Sequence, residues 1–326
     1  MAKIINKKIC VVGAGRWGIN HVNTLYKLNC LGGVVEKNTT IVKDIKKKCK
    51  DIIFFTDLDS AIEYGFDGFV VATPAETHFE IAKKIIESNN HVLVEKPITT
   101  TLQDAVVLNN LAKLNKVNLM VGHVLLFHPA FRKIKEMITN NVIGDLQYMY
   151  SNRLNLGTIR THENVLWSFA PHDIALFQFF SNLKPKDVNC IGSDILQKGI
   201  HDTTITTIEY PGNIMGHIFV SWLHPFKEHR FVVVGSKGMI HFEDSKDGKP
   251  LIFYDKNIEW KENIPIAKNG SSELISFNNE LPLESELKYF INHLNGKELS
   301  ISNGDSAIDV MAIITKATNK LLEKSI

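Results

Sequence analysis

The stretch His91-Val92-Leu93-Val94-Glu95-Lys96-Pro97 runs an apolar strand pattern straight into a lysine held between a carboxylate and a proline. A lysine at the carboxyl end of a buried parallel strand faces the crevice where such sheets bind ligands, which makes its amine a candidate acid/base. Upstream, Gly13-Ala14-Gly15-Arg16-Trp17-Gly18 follows directly on the apolar run Ile9 to Val12. In a turn of this kind Gly13 permits the tight bend, Gly15 lets the backbone approach a pyrophosphate, and Gly18 lets helix and sheet pack closely. The helix opening there, with Arg16 and Trp17 at its mouth, offers free N–H groups and partial positive charge to phosphates. Glu36 closes the next strand about 20 residues on, where a carboxylate accepts hydrogen bonds from the ribose hydroxyls and repels a 2′-phosphate. The expected cofactor is NAD rather than NADP, although Lys37 beside it pulls slightly the other way.

Thr73-Pro74 ends a further strand pattern, and His78 follows in the next helix. Strand-end loops face the crevice, so Thr73, Pro74, His78 and Glu95 are expected around the nicotinamide, with Lys96 reaching the same place. A positive nicotinamide ring and partial burial would both lower the lysine's pKa and suit it to exchange a proton with a sugar hydroxyl. Read alone, Lys96 could equally be a surface residue at a strand-to-loop transition.

Further along, the segment from Arg153 to Trp167 is dense in polar groups. Arg153 and Arg160 can grip a diphosphate bidentately, Asn164 adds an amide, and Trp167 can stack on a base or sugar. The plainer reading is a solvated loop. Pro171-His172-Asp173 follows, and proline suits a first helical position, so a helix is expected from about Pro171 to Phe180 with His172 in its opening turn. His123, His128, His224 and His229, with Trp222, read as packing or substrate-rim residues. Their spacing suggests no metal site.

The elements that must position these groups change character along the chain. Up to Gly122, apolar strand runs alternate with helical patterns, which predicts a mostly parallel, doubly wound sheet. The first helix is expected to bury Ile19, Val22, Leu25 and Tyr26, and the next Ile41, Ile45 and Cys49. The lysine-rich run Lys43 to Lys50 then reads as a solvated helix face. After Gly122 strands come in runs with turns at Pro211-Gly212 and Ser236-Lys237-Gly238, predicting an open mixed or antiparallel sheet with helices on one face. The expected division is a dinucleotide-binding domain over 1–122 and an α+β substrate and oligomerisation domain over 123–326. The C-terminal helix, from about Asp305 to Leu322, is expected to pack back on the first domain.

At 326 residues two cores are the default, and 44% hydrophobic and 22% charged residues are ordinary for a globular chain. A net charge of +2 gives no reason to expect nucleic acid or membrane as partner. The four cysteines are scattered, which fits a reduced, cytoplasmic protein. The start, Met1 to Lys8, is too short and polar for a signal peptide, and no apolar run approaches the roughly 20 residues that span a bilayer.

The glycine turn, Thr73-Pro74 with His78, Glu95-Lys96-Pro97 and the Asp-containing helix together resemble the Gfo/Idh/MocA oxidoreductases over essentially the whole chain. The resemblance implies a Rossmann domain followed by a domain with an open sheet that commonly forms a dimer or tetramer contact. It also implies that Lys96, often before a cis proline bond, lies near the hydroxyl being oxidised. The family's second-domain motif is an aspartate followed four residues later by a catalytic histidine; Asp173 fits the aspartate, but Phe177 stands at the histidine place. His172 is the substitute, with Asp173 orienting Lys96, His172 or the substrate. The run Trp167 to Asp173 is similar to nucleotide-sugar 3-dehydrogenases, which implies oxidation at C3 of a UDP-linked N-acetylhexosamine or its uronate. A free polyol or sugar, an NAD-dependent glycosidase reaction and a non-catalytic sensor are the alternatives on the same fold.

Overall fold

The computed structural model describes residues 7–323; of the polar start of the chain, Met1 to Asn6 lies outside the described residues. In chain order the first elements are β1 (Ile9–Val12), α1 (Gly18–Lys27), β2 (Leu31–Val35), α2 (Thr39–Lys48), β3 (Ile53–Phe55), α3 (Leu58–Tyr64) and β4 (Gly68–Val71). Then come α4 (His78–Glu87), β5 (Val92–Glu95), α5 (Leu102–Leu114), β6 (Leu119–Gly122), α6 (Pro129–Thr139), β7 (Leu146–Leu154) and α7 (Val165–Ser181). The rest are β8 (Asp187–Ser193), β9 (Thr203–Tyr210), β10 (Ile214–Ser221), β11 (Glu228–Gly235), β12 (Met239–Glu243), β13 (Leu251–Lys261), β14 (Ile264–Leu274), α8 (Pro282–Asn292) and α9 (Gly304–Glu323).

The first six strands form one parallel sheet in the order β3-β2-β1-β4-β5-β6. Strands β1, β4, β5 and β6 are buried along their whole length, the signature of a sheet covered on both faces. The order reverses between β1 and β4, which opens a crevice beyond their carboxyl ends. Helix α1 turns His21, Val22 and Leu25 inward, while Tyr26 is 37% exposed. The buried face thus includes a histidine where the apolar pattern pointed to Tyr26, because a carboxylate inside the unit pairs with the ring. On α2, Ile45 and Cys49 are buried, and Lys43, Lys46, Lys47, Lys48 and Lys50 are exposed.

Two compact units divide the chain: residues up to Phe127 with Glu280–Met311, and His128–Asn279 with the chain from Ala312. A single cut after 122 therefore omits the return of α8 to the first unit. The cause is the apolar side of α8, Leu287, Phe290 and Ile291, which is buried, with α8 packing on α1. Phe290 and Leu294 also close over Gly68, where an added Cβ would come within 2.7 Å of Leu294. Helix α9 runs through the boundary between the two segments.

The second unit is an eight-stranded mixed sheet, β14-β13-β12-β11-β7-β10-β9-β8, in which β10 and β7 run parallel and the other neighbours antiparallel. Burial alternates along β9 and β10, so one face is covered and the other is more open. Helix α7 lies on the covered face, with Phe177 fully buried against Gly216 and 5.5 Å from the ring of Phe231. It begins at Val165, not at Pro171. Asn164 caps it by accepting from the Trp167 N–H at 3.1 Å, and the apolar run Val165, Leu166, Ala170 and Ile174 carries the helix past the proline. No helix among the described residues is long and apolar enough to cross a membrane.

Candidate active site

The glycine turn after β1 takes the shape its residues require. Gly13 has φ +86°, and a Cβ there would stand 2.7 Å from Thr73 Cγ2. At Gly18 a Cβ would meet the Gly13 carbonyl oxygen at 2.1 Å, so that glycine lets α1 seat on the turn. A Cβ at Gly15 would meet nothing within 4 Å. Its lack of a side chain serves something outside the fold itself, which is what a pyrophosphate lying on the turn needs. Gly15, Arg16 and Trp17 are exposed.

A cleft of about 920 Å³ runs along the carboxyl ends of β1, β2 and β4, lined by Gly13, Gly15, Glu36, Ile41, Thr73 and Pro74 among others. Glu36 is fixed at its edge: Oε2 accepts from the Ala14 N–H at 2.9 Å and Oε1 from the Asn38 N–H at 2.8 Å. Each oxygen keeps a lone pair for a further donor, which suits a ribose diol. His78 does not line the cleft. It is buried, with Nδ1 2.8 Å from the Pro97 carbonyl and Nε2 2.8 Å from the Thr73 carbonyl. The ring ties the loop after β4 to the loop after β5, so any effect on a cofactor passes through those loops. The Lys96–Pro97 bond is cis.

Behind Lys96, Glu95 is nearly buried. Its Oε1 accepts from Trp17 Nε1 at 2.5 Å and lies 2.7 Å from His21 Nε2, while Oε2 accepts from the Lys96 backbone N–H at 3.2 Å. Burial by itself would push this carboxyl up, but the His21 and Trp17 bonds and the Lys96 charge together hold it below the usual range. Gly122 makes room for it, since a Cβ there would fall 2.9 Å from the carboxyl. The nearby His123 is pushed down to about 4 by burial. Trp17 and Glu95, both expected at the cofactor, therefore brace each other, and the sequence pattern gave His21 no role at all. The one sign of it was its place on the inward face of α1, four positions after Trp17.

In the second unit Asp173 is fully buried and turned to Arg153, not to solvent. Arg153 donates from Nε to Oδ2 at 2.8 Å and from Nη2 to Oδ1 at 2.9 Å, and Ser151 Oγ donates to Oδ1 at 2.6 Å. Burial would lower the guanidinium's proton affinity, but Asp173 raises it more. Arg153 is thus neutralised in place, so neither residue of this pair is a free diphosphate grip or an orienter of His172. Asn164 is the cap of α7, and Trp167 donates from Nε1 to Thr318 Oγ1 at 2.9 Å on α9. Arg160 is about half exposed, 3.6 Å from Glu163. Phe177 belongs to the core under Gly216. The Asp-x-x-x-His spacing has a second register on this helix, with His172 in the histidine place and Ser168 in the aspartate place. Those two share a face one helical turn apart. Ser168 Oγ donates to Glu163 Oε1 at 2.7 Å, and His172 is half-buried in the third turn of α7. Among the described residues no group of three or more His, Cys, Asp and Glu is placed to hold a metal ion.

The glycine turn after β1, the carboxylate after β2 and the lysine after β5 stand at the carboxyl ends of one parallel sheet, where a dinucleotide-binding fold places its ligand. Residues 7–123 match the oxidoreductase family with an NAD-binding Rossmann fold, and residues 131–241 match the GFO/IDH/MocA C-terminal domain. The chain belongs to the Gfo/Idh/MocA oxidoreductases, and its cofactor is NAD. It is similar to UDP-N-acetylglucosamine 3-dehydrogenase of Acidithiobacillus ferrooxidans, 25% identical over 58% of this chain and 59% of that enzyme. The solved structure of that dehydrogenase superposes with a TM-score of 0.86 at 19% identity, over 98% of this chain and 99% of the other. Myo-inositol 2-dehydrogenase of Thermotoga maritima is 24% identical over 97% of both chains. GenD2 from gentamicin A biosynthesis, solved with NAD, matches with a TM-score of 0.80 at 19% identity over 99% and 96% of the two chains.

Proposed function

We propose that this protein oxidises a ring hydroxyl of a sugar, at C3 of a UDP-linked N-acetylhexosamine or its uronate, yielding a 3-keto sugar. The observation that carries the reading is Lys96, set at the carboxyl end of β5 beside the Thr73-Pro74 loop, in a unit whose cleft fits a dinucleotide. The likeness to the 3-dehydrogenase supports the choice of sugar. Gly13, Gly15 and Gly18 form the pyrophosphate seat, Arg16 lies at its mouth, and Glu36 takes the ribose hydroxyls. NAD, when bound, supplies the acceptor for the hydride that leaves the sugar carbon. Lys96 takes the proton of the same hydroxyl, with the anionic Glu95 fixed beside it to favour the resulting ammonium. His172 is the proposed proton-transfer residue of the second unit, and the half-exposed Arg160 the proposed diphosphate contact there.

A free cyclitol is the second reading, favoured by the match to the myo-inositol enzyme along nearly the whole of both chains. We further propose a cytoplasmic homodimer or homotetramer built on the open face of the second unit's sheet, where Ile205 and Met215 are about 40% exposed. The test of substrate is NADH formation with UDP-N-acetylglucosamine, its uronate and myo-inositol offered separately. The reading expects the UDP-sugars to reduce NAD; turnover of inositol alone overturns it in favour of the second. Sedimentation of a single-chain species would refute the oligomer.

A further inference from the structure

His78 opens α4 and is 1% exposed, and both of its ring nitrogens face main-chain carbonyls. Nδ1 lies 2.8 Å from the Pro97 oxygen and Nε2 2.8 Å from the Thr73 oxygen. A carbonyl oxygen can only accept, and a neutral imidazole carries a single N–H. In either neutral tautomer one ring lone pair would point at an oxygen lone pair across 2.8 Å, in a buried place. Only the imidazolium, with a proton on each nitrogen, donates to both oxygens at once. Burial and the positive end of α4 oppose that charge. Two charge-assisted bonds of ordinary length favour it. The two carbonyls belong to different loops. Thr73 follows β4 and lines the dinucleotide cleft with Pro74 and Thr77, close to the glycine turn, where a Cβ on Gly13 would meet its Cγ2 at 2.7 Å. Pro97 follows Lys96 after β5. Thr77, the neighbour of His78, bonds back to Thr73 Oγ1 and the Pro74 carbonyl, so it stiffens the first loop alone.

We propose that His78 is held doubly protonated and acts as a two-armed tie, setting the Thr73-Pro74 wall of the NAD cleft against the loop that carries Lys96. It is a positioning residue, acting on the cofactor through the two loops. When the ring loses one proton it keeps one bond and releases the other arm, so the cleft wall is no longer tied to the loop after β5. The tied state is the one that fits NAD. Affinity for NAD therefore falls as pH rises through the loss of that proton, and bound NAD in turn helps the ring to keep it. Helix α4 packs on β4, β5 and α5. Strand β4 carries no titratable side chain. Strand β5 ends in Glu95, already bonded to Trp17 and His21, and Lys96 follows it. On α5, Asp104 accepts from Thr101 and Lys113 pairs with Asp305. In the turn before α4 and on α4 itself, Glu76 and Glu80 are exposed, Lys83 pairs with Glu87, and Lys84 pairs with Asp59. The carboxylates favour the imidazolium and the ammonium groups oppose it, while the two carbonyls in contact with the ring require it.

Nitrogen NMR of the protein labelled at its histidines, with and without NAD and without any sugar, tests both halves. At neutral pH both His78 ring nitrogens should carry a proton, and a ring with only one protonated nitrogen overturns the proposal. As the pH is raised until the ring loses a proton, the Kd for NAD, measured by calorimetry, should weaken about three- to tenfold, the worth of one hydrogen bond. Saturating NAD should move the ring's titration upward by the logarithm of the same factor, about 0.5–1 pH unit. A Kd that stays flat while the ring titrates, or a titration that NAD leaves in place, overturns the coupling. His78→Gln keeps one donor and has no ring to titrate, so it should bind NAD with the weak, high-pH affinity of wild type across the range. A variant that keeps the wild-type pH dependence would show that another group is responsible. Should the glutamine variant misfold, the two wild-type titrations decide the matter without it. No measurement involves a sugar, so failure of the substrate reading leaves these outcomes untouched.

Discussion

Replacing Asp173 by alanine separates a packing role from a catalytic one. Its carboxylate receives three hydrogen bonds, two from the Arg153 guanidinium and one from Ser151, at a site with no exposure. Removing it leaves an arginine charge buried opposite a cavity. Breaking a buried pair from one side costs about 3–5 kcal/mol, which for a unit of this size lowers the melting temperature by roughly 6–20 °C. Asp173→Asn keeps a carbonyl acceptor for one bond and should fall between. Arg153→Met with Asp173→Leu removes both charges and should recover most of the loss, giving a coupling of about 3 kcal/mol in a double-mutant cycle. The assay is urea unfolding followed by tryptophan fluorescence, alongside NADH formation at a temperature where each variant is folded. Abolished turnover in Asp173→Ala, with stability within about 1 kcal/mol of wild type, would refute the packing role and return Asp173 to the chemistry.

Four other outcomes follow from the same geometry. Gly15→Val should weaken NAD binding at least tenfold with little change in melting temperature, because its Cβ meets open space; Gly18→Ala should destabilise, because its Cβ meets the Gly13 carbonyl at 2.1 Å. Calorimetric titration with NAD and thermal melts check the pair. Glu36→Ser should lower the preference for NAD over NADP, measured as the ratio of the two Kd values. His123 and His128 titrate near 4 when folded and near 6.5 when unfolded, so the folded chain binds fewer protons between those values. Their contribution to stability is complete above about 6.5 and is lost as pH falls through 4, up to about 3 kcal/mol each. Urea midpoints from pH 7 to 4 should fall accordingly, and less so in His123→Gln. Gly216→Ala should destabilise by pressing a methyl within 2.4 Å of the Phe177 ring, with no direct effect on NAD affinity.

Much of the first unit was legible because its signals are local. A four-residue apolar run, a glycine turn and a following amphipathic helix are contiguous, and Gly13, Gly15, Gly18 and Glu36 fall where that pattern puts them. The second unit was harder to read. Pro171 looked like a helix start because proline is disfavoured inside helices, and the Asn164 cap seven residues before it outweighed that signal. Asp173 was legible as special, yet its partner lies 20 positions back across the sheet, and nothing local distinguishes a substrate carboxylate from one spent on an arginine. The Asp-x-x-x-His spacing offers two registers on one helix, and the core position of Phe177 under Gly216 favours the one through His172. Helix α8 carries the buried Glu286 on the same inward side as Leu287, Phe290 and Ile291. Its return to the first unit depends on long-range packing over Gly68, which no window of sequence shows.

The proposed reaction has Lys96 move the proton of the hydroxyl being oxidised. Its most direct test is kcat for NADH formation by Lys96→Met, which keeps the length of the side chain and removes the amine, on the sugar that wild type turns over. A fall of about 10²–10⁴-fold with the Kd for NAD unchanged is the predicted result. A kcat within a few-fold of wild type would contradict it.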